Sequence, residues 1–154
     1  MFIWDWAARW GIPHEAIEEL RQLPQATLTD GQSETATQSR LRMMASQAGA
    51  HLWRNNNGAA QDPTGRWIRY GLGNDSARIN AQFKSSDLIG ITPVNTPVGR
   101  LGVFTAIECK HPGWRAPENE RDVAQERFLN AVRAAGGIGA FITHPDQYHD
   151  QILR

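Results

Sequence analysis

SSDLIGITPVNTPVGRLGVFTAIECK, residues 85 to 110, is the stretch on which the fold turns. Asp87 to Ile91 and Leu101 to Lys110 are β-prone runs, and Pro93 to Arg100 between them is rich in turn formers. The expected order is strand, hairpin connection, longer strand. In a strand, Glu108 and Lys110 lie two apart and share one face, about 7 Å from each other along the chain. The apolar run VFTAI thus carries a carboxylate and an ammonium to its C-terminal end. Burying either one alone is costly, so an ion pair or a metal ion is needed there. Asp87, at the start of the partner strand, brings a second carboxylate towards Glu108. Hard divalent cations such as Mg²⁺ or Mn²⁺ relieve the repulsion of such a pair.

On the N-terminal side, Ser33 to Ala48 reads as a helix with Ser33 as its N-cap and Gly49 just past its end. Positions 34, 38, 41, 45 and 48 form one stripe, which sets Glu34 in line with Leu41, Ala45 and Ala48. An inward carboxylate suits a site, whereas an ordinary first-turn glutamate is explained by the helix dipole. Before this helix, Pro13 opens a second helix over about 13–22 and Pro24 closes it, with a linker from 25 to 32. The tryptophans Trp4, Trp6 and Trp10 suit packing, dimerisation or base stacking.

After the capped helix, HLWRN and RWIRY are strand candidates, with NNNGAAQDPTG and GLGNDSARIN as polar loops. C-terminal to Lys110, the loop HPGWRAPENE precedes a helix over about 118–135. Its apolar face is read as Val123, Ala124, Phe128, Ala131, Val132 and Ala135, and Gly136 and Gly137 end it. The strand IGAFIT and a short helix close the chain. The whole order implies an α/β or α+β domain, a mixed sheet with helices on its faces.

At 154 residues the chain suits one domain, residues 33–154, with a helical appendage and linker over 1–32. A hydrophobic content of 40% against 21% charged residues excludes a wholly disordered or fibrous chain. One cysteine, Cys109, rules out an internal disulfide framework. There is no basic n-region and no long apolar run, so a cytoplasmic location and no membrane partner are expected. The net charge is zero, yet fourteen arginines stand against two lysines, Lys84 and Lys110. Arginine suits phosphate, although a coding bias yields the same excess.

Phosphodiester hydrolysis needs a nucleophilic water and neutralisation of the charge that develops on phosphate. Two carboxylates, a divalent cation and a lysine supply both. Taken together, SETATQSRL, RNNNGA, SSDLIG, AIECK and QERFLNAVRAAGG, in that order over roughly residues 33 to 143, resemble the VRR-NUC family, the virus-type replication-repair nuclease domains. The resemblance implies a PD-(D/E)xK restriction-endonuclease-like core of order α-β-β-β-α-β. It also implies a divalent-metal-dependent endonuclease acting on duplex or branched DNA such as Holliday junctions, in phage or prophage replication and repair, and a homodimer. In those terms Asp87 and Glu108 are metal ligands and Lys110 is the catalytic lysine. Glu34 is the helix-borne acid and a further ligand, and Gln125 is the active-site glutamine. The proline that often precedes the first aspartate is Ser86 here, and TPVNTPVGR extends the hairpin.

Beyond this set, Arg54, Asn55 and Lys84 are candidates for substrate contact, and a plain turn explains RNNNG equally well. Strand alternation turns Cys109 to the opposite face, which excludes a catalytic thiolate. The five histidines show no metal spacing. The alternative function is a non-catalytic module that binds DNA structures on a nuclease fold.

Overall fold

A computed structural model describes residues 7–22 and 33–153, without the side chains of 19–22. The expectations for Trp4, Trp6 and the linker fall outside the described residues. The chain forms two compact units, Met1–Asp30 and Gly31–Arg154. In the first, α1 spans His14–Gln22, and Ala7 and Ile17 are buried.

The second unit is a mixed α+β structure. A four-stranded mixed sheet has the order β1-β4-β5-β6, and a separate two-stranded sheet pairs β2 with β3. Helix α2, Glu34–Gln47, begins at Ser33, whose hydroxyl accepts the Ala36 N–H; past its end Gly49 sits at φ 74°. Thr37, Gln38, Leu41 and Ala45 point inward. Glu34, one turn ahead of them on the stripe expected to face inward, is exposed.

Strand β1, His51–Arg54, pairs antiparallel with β4, Leu88–Thr96, and β4 pairs antiparallel with β5, Gly99–Cys109. The hairpin connection is shorter than the sequence suggested, since β4 runs through Pro93 to Thr96. Strand β1 covers only Leu88 to Ile91 of β4, so Pro93 lies on the stretch of β4 beyond the reach of β1, where its missing N–H breaks no ladder. Gly90 is the point of closest approach: a Cβ there would meet the His51 carbonyl oxygen at 1.9 Å.

The stretch read as a polar loop after β1 contains β2, Gly58–Gln61, which pairs with β3, Trp67–Tyr70. The Asp62 carboxylate closes this hairpin by accepting the Thr64 and Arg66 N–H groups. A second polar loop holds the short α3, Ala77–Gln82, capped by Ser76. After β5, α4, Glu120–Ala134, crosses to β6, Ile138–Ile142, which lies parallel to β5; α5 is Gln147–Ile152.

Leu41 and Ala45 of α2, Leu88, Ile107, Cys109 and Ile142 of the sheet, and Tyr148 and Ile152 of α5 form the main core. Ala106, Phe128 and Leu129 form a second cluster on the opposite face, under α4. Cys109 belongs to the first cluster, as alternation required. The buried face of α4 is rotated from the expected one. Asp122, Ala124, Gln125, Phe128 and Leu129 are buried, while Ala131 and Ala135 are exposed. No helix among the described residues is long and apolar enough to cross a membrane.

Candidate active site

The register of the central hairpin builds the site. Leu88 pairs with Ile107, so Asp87 arrives beside Glu108. The Asp87 N–H donates to Glu108 Oε2 at 3.1 Å, and the Cys109 N–H donates to Asp87 Oδ2 at 3.1 Å. Backbone amides thus lock the two carboxylates together at the end of the sheet. The loop before β4 is held as firmly. Asn55 Nδ2 donates to Ser85 Oγ and to the Ser86 carbonyl, each at 2.8 Å, and Asn55 Oδ1 accepts the Leu72 N–H at 3.0 Å. Its backbone N–H donates to the Asp87 carbonyl at 2.7 Å. Asn55 therefore fixes the approach to Asp87, and its side-chain polar groups are occupied. Ser86, where a proline was expected, donates its hydroxyl to the Leu88 carbonyl at 2.9 Å.

Lys110 and Gln125 come together with Glu108. Lys110 Nζ donates to Asp122 Oδ1 at 2.6 Å and to Gln125 Oε1 at 2.8 Å, and stands 3.4 Å from Glu108 Oε1. Gln125 in turn donates its amide N–H to Glu108 Oε1. Two hydrogen bonds and one longer ion pair thus hold the ammonium, and all four residues are buried. Asp122 was not singled out from the sequence. Its other oxygen, Oδ2, accepts the Trp114 indole N–H at 3.2 Å and the Glu118 N–H at 3.1 Å, tying the loop after β5 to the network. Its signal was present: Asp122, Gln125 and Leu129 recur at helical spacing, polar groups on an otherwise apolar stripe.

The charges are unbalanced. Burial, and then the charge of Asp87, push the Glu108 carboxyl up to about 8; Lys110 opposes them only in part. Burial also raises Asp87, helped by Glu34 and opposed by the Cys109 N–H, Lys110 and Arg121. Burial would raise Asp122 as well, but the Lys110 ammonium and the Glu118 and Trp114 donors outweigh it and hold it below the ordinary carboxylate range. Lys84, half-buried, is pulled below the usual lysine range by burial and by Arg121, against the attraction of Glu108 and Asp87. Lys84 and Arg121 therefore share the electrostatic neighbourhood of the carboxylate pair, and Arg121 is a second residue the sequence reading passed over. Burial and the surrounding carboxylates push the Cys109 thiol far up, consistent with an inert group.

Beside Asp87 opens a polar cavity of about 390 Å³, lined in part by Gln38, Arg54, Asn56, Asn57 and Tyr70. Glu34 lies one helical turn before Gln38, and its charge reaches Asp87 and Cys109. Among the described residues no three His, Cys, Asp or Glu side chains converge as a metal-holding group. The Asp87–Glu108 pair nonetheless has the donor chemistry that a small hard cation prefers: carboxylate oxygens, with Asp87 Oδ1 unpartnered among the described residues, in a place where both groups resist ionisation together.

Half-buried Asp87 and buried Glu108, with a lysine and a glutamine at the end of a mixed sheet, make up the site. The chain matches no family model, no curated protein and no solved structure.

Proposed function

We propose that this chain is a divalent-metal-dependent DNA endonuclease with a PD-(D/E)xK-like core of order α-β-β-β-α-β. The observation that carries the reading is the meeting of Asp87, Glu108, Lys110 and Gln125, from two strands and one helix, at a single sheet end. These are four of the five site residues that the resemblance to VRR-NUC domains implies; the fifth, Glu34, is exposed. Asp87 and Glu108 are the residues that would hold Mg²⁺ or Mn²⁺, with Glu34 near enough to add its charge. Such an ion, when bound, supplies charge neutralisation at phosphate and a water of lowered pKa.

The chain's own groups do the rest. Gln125 and Lys110 hold Glu108 Oε1, and the Asp87 N–H holds Oε2, which fixes the carboxylate plane. Asp122 fixes Lys110 in turn. Lys84, Arg121 and Arg54 place positive charge where a polyanion would arrive. A homodimer would let two such sites address two strands of a junction.

The second reading, a non-catalytic DNA-structure-binding module, has one observation in its favour. The Lys110 ammonium is already engaged by hydrogen bonds to Asp122 and Gln125 and by an ion pair with Glu108. Incubating the protein and its Lys110→Ala variant with linear, flap and four-way-junction DNA in Mg²⁺, Mn²⁺ or EDTA separates the two. Metal-dependent cutting that falls by on the order of 10²–10⁴-fold in the variant is the result expected of a nuclease. Tight junction binding with no cutting by either protein would establish the binding module instead.

A further inference from the structure

The cavity beside Asp87 is polar in an unusual way. Gln38, nine-tenths buried on the inner face of α2, opens onto it, and its amide has no hydrogen-bond partner among the described residues. Asn57 shares this wall, with its Nδ2 bonded to the Leu72 carbonyl and to Ser85 Oγ. The Gln38 amide thus keeps its donors and its acceptor for an occupant of the cavity, and exposed Asn56 adds a second amide to the wall. Arg54 stands at the rim with no ion pair among the described residues, while Tyr70 contributes a half-exposed ring. That ring is seated on Gly58: a Cβ there would come within 2.5 Å of the Tyr70 hydroxyl, so glycine is what lets the ring lie against β2. Asn74 secures the same pair of strands by donating to the Gly58 and Tyr70 carbonyls at 2.6 and 2.9 Å.

We propose that this cleft takes one unpaired nucleotide of a DNA strand, its base between Tyr70 and the Gln38 and Asn56 amides and its phosphate towards Arg54. The inference rests on the nuclease reading and names its substrate class: DNA with an unpaired nucleotide next to the bond addressed by Asp87. Primary amides offer both donors and acceptors, the complement of a base edge. An aromatic ring stacks on any base, worth about 1–3 kcal/mol by alanine substitution. A guanidinium at the rim matches phosphate in bidentate geometry. A volume of about 390 Å³ lies in the range of small-ligand pockets and exceeds what a cation with its water shell fills, roughly 200 Å³. A base stacked and paired in duplex DNA has its faces and pairing edge covered, and reaches such a pocket only when extruded or already unpaired.

Binding measured in EDTA isolates this inference from catalysis. Anisotropy of labelled DNA compares a blunt duplex with the same duplex carrying a single-stranded flap, and 2-aminopurine at the first flap nucleotide reports stacking. The wild-type protein is expected to bind the flap at least about tenfold more tightly than the duplex and to quench the 2-aminopurine. Gln38→Leu and Tyr70→Ala are each expected to lose about tenfold on the flap while keeping duplex affinity. If Tyr70→Ala does not fold, Gln38→Leu carries the comparison, since its amide has no bond to lose. Unchanged flap preference in Gln38→Leu, or equal affinity of the wild type for flap and duplex, overturns the nucleotide pocket and leaves the nuclease reading standing. No binding of either DNA overturns both.

Discussion

Two sides of one carboxylate pair are built on opposite terms. On the α4 side, Lys110, Asp122, Gln125 and Glu108 form a buried network in which the lysine is held by two hydrogen bonds and an ion pair. On the α2 side, Gln38 and Arg54 border an open cavity and have no hydrogen bond or ion pair among the described residues. The first side has the organisation of a support and the second that of a receptor. A site needs both, because a carboxylate that must meet a ligand on one side has to be held from the other.

The comparison breaks most visibly in stability. Asp122→Ala leaves the Lys110 ammonium buried with one partner fewer, and a loss of about 3–5 kcal/mol is expected in urea unfolding. Gln38→Leu, of similar burial, is expected to change stability by less than about 1 kcal/mol, since no hydrogen bond is removed. Equal losses for the two variants would erase the distinction between the sides.

The pH dependence sharpens it next. The folded pKa of Glu108, about 8, lies above its ordinary 4.5, so the folded state binds the extra proton between those values. Stability contributed by this group is complete below about 4.5 and falls as pH rises towards 8, by at most about 1.4 kcal/mol per unit. Asp122, held low, acts in the other sense, and its contribution is lost as pH falls through its folded pKa on the acid side. Glu108→Gln is expected to flatten the slope between pH 5 and 8 while leaving the acid limb, as read from urea midpoints across pH. Asp122→Asn is expected to weaken the acid limb instead.

The smallest effect is expected from Arg54→Ala. A single phosphate contact with the unpaired strand should lower the slope of log affinity against log salt by about 0.7, with little change in folding. An unchanged slope would remove Arg54 from the path of the strand.

Much of the architecture was legible because local signals agreed with the global pattern. Ser33 and Gly49 bracket α2 by capping chemistry, and the β-branched run up to Ile107 marks β5 whatever surrounds it. Elements decided by tertiary context were not legible. Gly58–Gln61 holds no β-branched or aromatic residue and is a strand because Tyr70 and Asn74 hold it. Ala77–Gln82 is too short to announce a period. Pro93 reads as a turn residue and sits in a strand only where β1 no longer reaches.

In the site, the spacing of Glu108 and Lys110 and the hairpin register of Asp87 could be read along one dimension. Asp122 was passed over although its spacing to Gln125 was visible, because Val123 beside it drew the apolar face of α4 one position too far round. Gln38 lay on the recognised stripe of α2, but a glutamine's lack of a partner shows only once its neighbours are in place.

The central claim, that Asp87 and Glu108 are a cation site, is tested most directly by titrating Mn²⁺ into the protein near neutral pH in two buffers of different ionisation enthalpy. Because Glu108 is held partly protonated, binding is expected with release of up to about one proton per ion, and with both heat and proton release lost in Glu108→Gln. No binding by the wild-type protein, or binding that Glu108→Gln leaves unchanged, would contradict the account.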